Sequence, residues 1–291
     1  MKPPAFHYHD PRALSDVLEL LATRENAKLL AGGQSLMPML NMRFVFPDHV
    51  IDLNRVTELS YIRENGAVIE LGAMTRQREL ELSSLIRERC PLMSEALRQV
   101  GHRQTRNRGT FGGSLCHLDP AAELPAVAAA YDATVHIRSR RGARTLKMAE
   151  FPAGYMTPAI EADEIVAAIE FAPWPKAHGY AFSEFARRHG DFAVAAVAVL
   201  LELARDGTVR RASVVLGGVA AGPLRCESVE KVVVGSRGDG SVFRKAAQGC
   251  REIDAMEDVH ASSGYRRHLA EVLTERALAT AFARASTAAV Q

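Results

Sequence analysis

Two short stretches of this chain share a composition that can do chemistry: AGGQS at residues 31 to 35 and TFGGS at residues 110 to 114, each with adjacent glycines beside a hydroxyl. Without a Cβ, glycine lets main-chain N–H groups point into a concavity unobstructed, and a helix starting just after the turn adds its positive end. Such a turn suits a phosphate, and two of them suit the two phosphates of a dinucleotide. Around the first, Ser35 can cap the following helix, and Pro38 falls in its first turn, where a missing N–H is harmless. Arg106 and Arg108 precede the second, while Asp119 and Glu123 follow it with carboxylates able to accept from ribose or adenine. Each feature also has a plainer use: a glycine pair as a simple turn, an arginine as solvated surface, Asp119 before Pro120 as a cap. Neither stretch is G-x-G-x-x-G or a Walker loop, so a Rossmann nicotinamide site or an ATPase is not supported.

The other candidate groups are weaker. His102 and His117 flank the second turn, and a lone histidine there is read as a hydrogen-bonded structural residue. Cys90, Cys116, Cys226 and Cys250 lie far apart, with no Cys-x-x-Cys pair, so they are expected as reduced thiols unable to hold an iron–sulfur cluster by themselves.

These residues must be positioned by a chain of 291 residues that is 47% hydrophobic and 24% charged, enough for two or three cored domains. The 36 basic and 34 acidic residues leave a formal charge of +2, which gives no global field for nucleic acid or a membrane surface. MKPPAFHYHDP lacks the apolar core of a signal peptide, so a cytoplasmic location is expected. FAVAAVAVLLELA (192 to 204) is too short for a comfortable membrane span and reads as a buried strand.

Along the chain, Asp10-Pro11 can start a helix with Ala13, Val17, Leu20 and Leu21 on its apolar face. Strands at Lys28 to Leu30 and Val50 to Leu53 complete a small α/β lobe ending near Val56. Asn65-Gly66 marks a hairpin, residues 76 to 100 read as helical, and Tyr131 to Lys147 forms a second hairpin turning at Arg141-Gly142. Glu164 to Phe171 is a closing strand. Pro173 and Pro175 then break helix and strand alike, setting the next boundary. The expected divisions are 1–56, 57–175 and 176–291. In the last, Asp206-Gly207 joins runs 192 to 204 and 208 to 219 as a hairpin, helices follow from Cys226, the final one spans about 265 to 284, and the tail after Ala285 is expected to fray.

AGGQS followed by Leu36, Pro38 and Arg43, TFGGS followed by His117, Asp119-Pro120-Ala121-Ala122-Glu123-Leu124-Pro125, and RRHGDFA at 187 to 193 together resemble the FAD-binding medium subunit of bacterial molybdenum hydroxylases. That family includes carbon monoxide dehydrogenase, the quinoline- and nicotine-type hydroxylases and the flavin domain of xanthine dehydrogenase. The resemblance runs from about Phe6 to about residue 285. It implies an α+β chain: a two-lobed FAD-binding domain of the vanillyl-alcohol-oxidase/PCMH type, then an α+β C-terminal domain with a small antiparallel sheet and helices.

Carried over position by position, the resemblance assigns Leu29, Leu30, Ala31, Gly32, Gly33, Gln34, Ser35 and Leu36, with Thr110, Phe111, Gly112, Gly113 and Ser114, to the diphosphate and ribityl regions. Glu123 takes the acidic position after the second turn, Ile165 a backbone contact, and Arg187 a place by the isoalloxazine carbonyls, with Arg188 as the alternative register. On its own terms Arg187 can equally pair with Asp191, and Phe192 can cover a ring face or simply open a strand. Phe111 and Ser114 stand where other branches carry Ile and Asn, and no glycine is lost. The same resemblance implies FAD in this chain, a molybdenum cofactor on a large partner subunit, two [2Fe-2S] clusters on a small iron–sulfur partner, and a dimer of heterotrimers. This chain is then an electron outlet to an external acceptor. The rival readings are an autonomous FAD-dependent oxidoreductase and a scaffold subunit that has lost flavin.

Overall fold

The computed structural model describes residues 2–288. The chain opens with β1 (His7–His9), α1 (Leu14–Thr23), β2 (Ala27–Leu30), α2 (Leu36–Asn41) and β3 (His49–Asp52). The three strands form a parallel sheet in the order β1-β3-β2. Helix α1 begins at Leu14, not at Pro11. Asp10 is drawn into an ion pair with Arg55 (2.7 Å), and the exposed first N–H of the helix, on Leu14, donates instead to Glu58 Oε1 (2.6 Å), so a residue 44 positions away supplies the cap.

The next segment holds β4 (Ile62–Asn65) and β5 (Val68–Gly72), then α3 (Gln77–Leu82), α4 (Ser84–Arg89), α5 (Pro91–Leu97), α6 (Arg103–Arg108), α7 (Phe111–His117) and α8 (Glu123–Ala130). It ends with β6 (Thr134–Ser139), β7 (Gly142–Lys147), the short pair β8 (Pro152–Gly154) and β9 (Thr157–Pro158), and β10 (Ile165–Phe171). The helical stretch 76 to 100 is broken twice. Ser83 accepts from Ile86 N–H (3.3 Å) to start α4, and Pro91 occupies the first position of α5, where its missing N–H costs nothing. Strands β4-β5-β10-β6-β7 make an antiparallel sheet, and α5, α7 and α8 cover one of its faces through Ile69, Leu71, Val135, Ile137 and Ile169. Between the first two sheets lies a smaller apolar cluster, Val17, Leu21, Ile51, Leu53, Met74, Ile165 and Ala167, with Leu29 and Ala31 against it.

The third sheet, β11 (Gly179–Phe185), β12 (Ala195–Leu203), β13 (Val209–Gly217) and β14 (Leu224–Arg225), is antiparallel and is followed by α9 (Glu227–Val233), α10 (Gly240–Ala247) and α11 (Ser263–Ala288). The unbroken apolar run of β12 has a simple cause. Ala196, Ala198 and Leu200 face the core shared with α5 and α8, while Ala195, Val197, Val199 and Leu201 face the core under the C-terminal helices. A strand covered on both sides has no reason to alternate polar and apolar residues. The elements without a counterpart in the sequence reading include β1, the helices α6, α7 and α8, the pair β8 and β9, β11 and β14. Helix α11 continues through Ala288, past the tail expected to fray after Ala285, and residues 289–291 lie outside the described part.

Candidate functional site

The first glycine turn leaves β2 at Leu30 and enters α2 at Leu36. Gly33 sits at φ +75°, in the left-handed region that glycine reaches without strain. A Cβ on Gly32 would collide with the carbonyl oxygen of Arg108 and stand 2.8 Å from Gly109 Cα, so this turn lies directly against the segment leading into the second. Ala31 also borders that second turn, its Cβ 3.5 Å from the position a Gly113 side chain would take. The two motifs, 79 residues apart in the chain, thus meet at one place. Among the described residues, the N–H groups of Gly32, Gly33, Gln34 and Ser35 donate to no protein acceptor. Ser35 does not cap α2 as expected. Its own backbone is already helical (φ −111°, ψ −49°) and its hydroxyl makes no cap bond, whereas Pro38 does fall in the first turn.

The second turn is built differently. Phe111 N–H donates to Thr75 O (3.1 Å), Gly112 N–H to Ala73 O (2.9 Å), Gly113 N–H to Thr110 Oγ1 (3.0 Å) and Ser114 N–H to Thr110 O (3.2 Å). Thr110 is a true N-cap. Gly112 is required by packing, since a Cβ there would lie 2.6 Å from Ala73 Cβ and 2.8 Å from Ala73 O. Ser114 is half-buried.

A clamp that the sequence reading missed joins the turns. Asn54 Nδ2 donates to Ala31 O (3.1 Å), the Arg76 guanidinium donates to Asn54 Oδ1, and the same guanidinium donates to Arg108 O. Arg76 is half-buried, and burial together with the neighbouring Arg108 charge lowers its pKa. It remains a cation, because an arginine starts so far above neutrality. No spacing rule points to Asn54 or Arg76, which become neighbours only when the first two sheets pack. Arg106, in contrast, is neither a phosphate-facing charge nor solvated surface. It is buried, its Nε donates to Glu81 Oε2 (2.9 Å), and Nη1 donates to Val100 O (2.8 Å), pinning the chain beneath the second turn.

Beyond α7, Leu118 takes a left-handed conformation (φ +50°) that ends the helix. Asp119 Oδ1 accepts from Ala121 N–H (2.9 Å), so its carboxylate serves the turn. His117 is kept neutral-leaning by burial, with Asp119 opposing at 4.0 Å. Glu123 opens α8, and its carboxyl is pushed up to about 8, first by burial and then by the nearby Glu184 and Asp119 carboxylates. Ile165 opens β10, nearly fully buried in the same small cluster as Leu29 and Ala31.

Arg187 lies in the loop between β11 and β12. It is exposed and forms no ion pair with Asp191 among the described residues. Of the two candidate arginines, it is Arg187 that lines a cavity of about 320 Å³ with Asp119, Ala121, Phe192, Asp258 and Arg266. The loop is held from below by His102, whose Cε1 would be 2.5 Å from a Cβ at Gly190. Phe192 is 76% exposed and precedes the strand, which starts at Ala195.

A family model described as the FAD binding domain in molybdopterin dehydrogenase matches residues 4–174, and one described as the CO dehydrogenase flavoprotein C-terminal domain matches residues 180–281. The chain belongs to that flavoprotein family. Within it, the flavoprotein is 38% identical to 6-hydroxypseudooxynicotine dehydrogenase complex subunit alpha of Paenarthrobacter nicotinovorans, over 98% of this chain and 97% of the relative. It is 39% identical to caffeine dehydrogenase subunit beta of a Pseudomonas species, over 97% and 96%. Among solved structures, carbon monoxide dehydrogenase from Hydrogenophaga pseudoflava superimposes with a TM-score of 0.94 at 35% identity, covering 98% of this chain and 99% of that one. The flavoprotein is therefore an oxidoreductase subunit with an FAD-binding domain followed by an α+β C-terminal domain, the architecture that the resemblance of its motifs implied. Among the described residues no helix is long and apolar enough to cross a membrane.

Proposed function

We propose that the flavoprotein holds the diphosphate of FAD on the free N–H groups of Gly32 to Ser35, with Leu29, Leu30, Ala31 and Leu36 flanking it. Thr110, Phe111, Gly112, Gly113 and Ser114 form the opposing platform, Glu123 meets a hydroxyl of the cofactor, Ile165 contributes a backbone contact, and Arg187 faces the carbonyl edge of the ring. The residues present fit such a group. Four unsatisfied donors line one turn, a clamped guanidinium backs it, and the second turn abuts it closely enough for a single pyrophosphate to touch both. That adjacency of the two glycine turns is the observation that carries the reading.

Bound FAD supplies conversion between one- and two-electron transfer. The residues of this chain would bind it, orient it and set its electrostatic surroundings, with Arg187 placing a positive charge at its carbonyl edge. Two [2Fe-2S] clusters on a small partner subunit and a molybdenum cofactor on a large one would supply the electrons that this chain delivers to an external acceptor. Division at residues 56 and 175, assembly as a dimer of heterotrimers and a cytoplasmic location complete the proposal. Among the described residues no group of three or more His, Cys, Asp or Glu is placed to hold a metal ion.

The test is reconstitution of the full chain with FAD followed by desalting. One flavin per chain, reducible by dithionite and lost in Gly33→Val, is expected. A folded protein that stays colourless after incubation with excess FAD would favour the scaffold reading. Turnover of a substrate by the chain alone would favour the autonomous oxidoreductase.

A further inference from the structure

Arg266 lies in the first turn of α11, where the positive end of the helix disfavours a cation, and it is only 3% exposed. Its Nε is buried and has no hydrogen-bond partner among the described residues. Burying a charge and leaving one of its donors unpaired both cost stability, so the informative part is what the other donors hold. Nη1 donates to Val194 O (2.6 Å) and to Gly218 O, and Nη2 pairs with Asp258 Oδ2 (2.7 Å). Through Oδ1 the same Asp258 accepts from His260 N–H (2.8 Å) and Ala261 N–H (3.0 Å), which fixes the segment just before α11.

The three partners belong to three separate segments around the cavity that Arg187 lines. Val194 closes the loop between β11 and β12: its N–H donates to Phe185 O (2.8 Å), so residues 186–193, with Arg187 and Phe192, hang from one joint. Gly218 follows β13, takes φ +74°, and donates its N–H to Pro120 O (2.7 Å), in the stretch that follows α7. A Cβ at Gly218 would stand 3.0 Å from Val194 O, so the two acceptors of Nη1 come from backbones already in contact. One guanidinium thus ties the stretch after the second glycine turn to the loop that carries Arg187.

We propose that Arg266 is a positioning residue: by holding Val194 and Gly218 on one guanidinium nitrogen it anchors the 186–193 loop and so sets where Arg187 stands at the cavity, with no bond of its own to the cofactor. The effect on the flavin ring rests on the flavin reading, and the anchoring of the loop does not.

Trypsin tests the anchoring on the full chain without FAD, because Arg187 and Arg188 are its cleavage points within the 186–193 loop. Fragment masses identify the bonds cut. The wild-type chain should resist there, and Arg266→Met should be cut about tenfold faster, the gain in local opening expected from losing two hydrogen bonds. Arg266→Lys should restore resistance, since a single ammonium can donate to both carbonyls that Nη1 serves. With FAD bound, the reduction potential reports on Arg187. Arg187→Ala should lower it, because a cation at the carbonyl edge favours the reduced ring, and Arg266→Met should lower it as well. In the Arg187→Ala background Arg266→Met should add no further shift, since the group it positions is already gone. Additive shifts overturn the proposal, because they would mean that Arg266 acts by its own charge or by packing alone. So does unchanged cleavage in a folded Arg266→Met protein, and rapid cleavage at Arg187 or Arg188 in the wild-type chain overturns it without any variant. A chain that shows the predicted protection and its loss but binds no FAD overturns the flavin reading and upholds the anchoring.

Discussion

The two glycine turns look alike in the sequence and do opposite things with their backbone. In the turn at 31 to 35 the glycines leave donors without partners: Gly33 adopts a left-handed angle, and the N–H groups from Gly32 to Ser35 meet no acceptor among the described residues. In the turn at 110 to 114 each N–H from Phe111 to Ser114 is already satisfied within the chain, and Gly112 exists so that α7 can lie against Ala73. The first keeps its donors without partners, and in the second the protein itself takes them up. A glycine pair therefore signals close approach, and only the tertiary partners decide whether what approaches is a ligand or the protein itself.

Substitutions can break this contrast. Gly32→Val should have the largest effect, because its side chain would drive into the Arg108 carbonyl and part the two turns. Flavin retention should be abolished in the desalting assay, and thermal stability should drop as well. Next come two alanine variants that separate the roles. Gly112→Ala crowds Ala73 and should cost about 1–3 kcal/mol of stability in chemical denaturation, as overpacking generally does. Gly33→Ala, by contrast, meets only side-chain atoms of Met37 and Leu30 at 3.2 and 3.3 Å, so its stability loss should be the smaller, about 1 kcal/mol for the left-handed angle, while its loss of FAD affinity should be the greater. Equal losses of affinity in the two variants would erase the distinction. Thr110→Val removes the N-cap of α7 and should cost about 1 kcal/mol with a modest change in FAD affinity.

The smallest expected effect concerns pH. Glu123 and Glu184 titrate higher in the folded chain than an ordinary glutamate, at about 8 and about 7 against 4.5, in each case first because of burial. The folded state then holds more protons than the unfolded one across that interval, so their contribution favours folding at low pH and is lost as pH rises through the folded values. Denaturation of the FAD-free chain at about pH 6 and about pH 9 should show the higher pH as the less stable, with a shallower difference in Glu184→Gln.

Much of the fold was legible because it is local. Asn65-Gly66, Arg141-Gly142 and Asp206-Gly207 each turn a hairpin between neighbouring strands, and the glycines at 66, 142 and 207 all take positive φ. The double apolar face of β12 likewise announced a buried strand. What escaped notice depends on partners distant in the chain. β1 is three residues, HYH, that become a strand only by pairing with β3 some 40 positions on. The start of α1 depends on Glu58, and the helical stretch 76 to 100 breaks where Ser83 and Pro91 offer new starts. At the site, the motifs located both turns, but not Asn54 and Arg76 between them. Those side chains carry no motif and matter through position alone.

Because β12 lends one face to each of two cores, the C-terminal part is not an appendage to the flavin-binding part. Arg284, close to the end of α11, donates to Glu95 Oε2 on α5 (2.6 Å) and to Tyr180 O (2.7 Å), so the last long helix is also bolted to the middle of the chain. A calorimeter should accordingly record one cooperative melting event. Trimming the protein after residue 175 would strip the oily underside of α5 and α8 and leave a fragment prone to clump rather than a minimal flavin carrier.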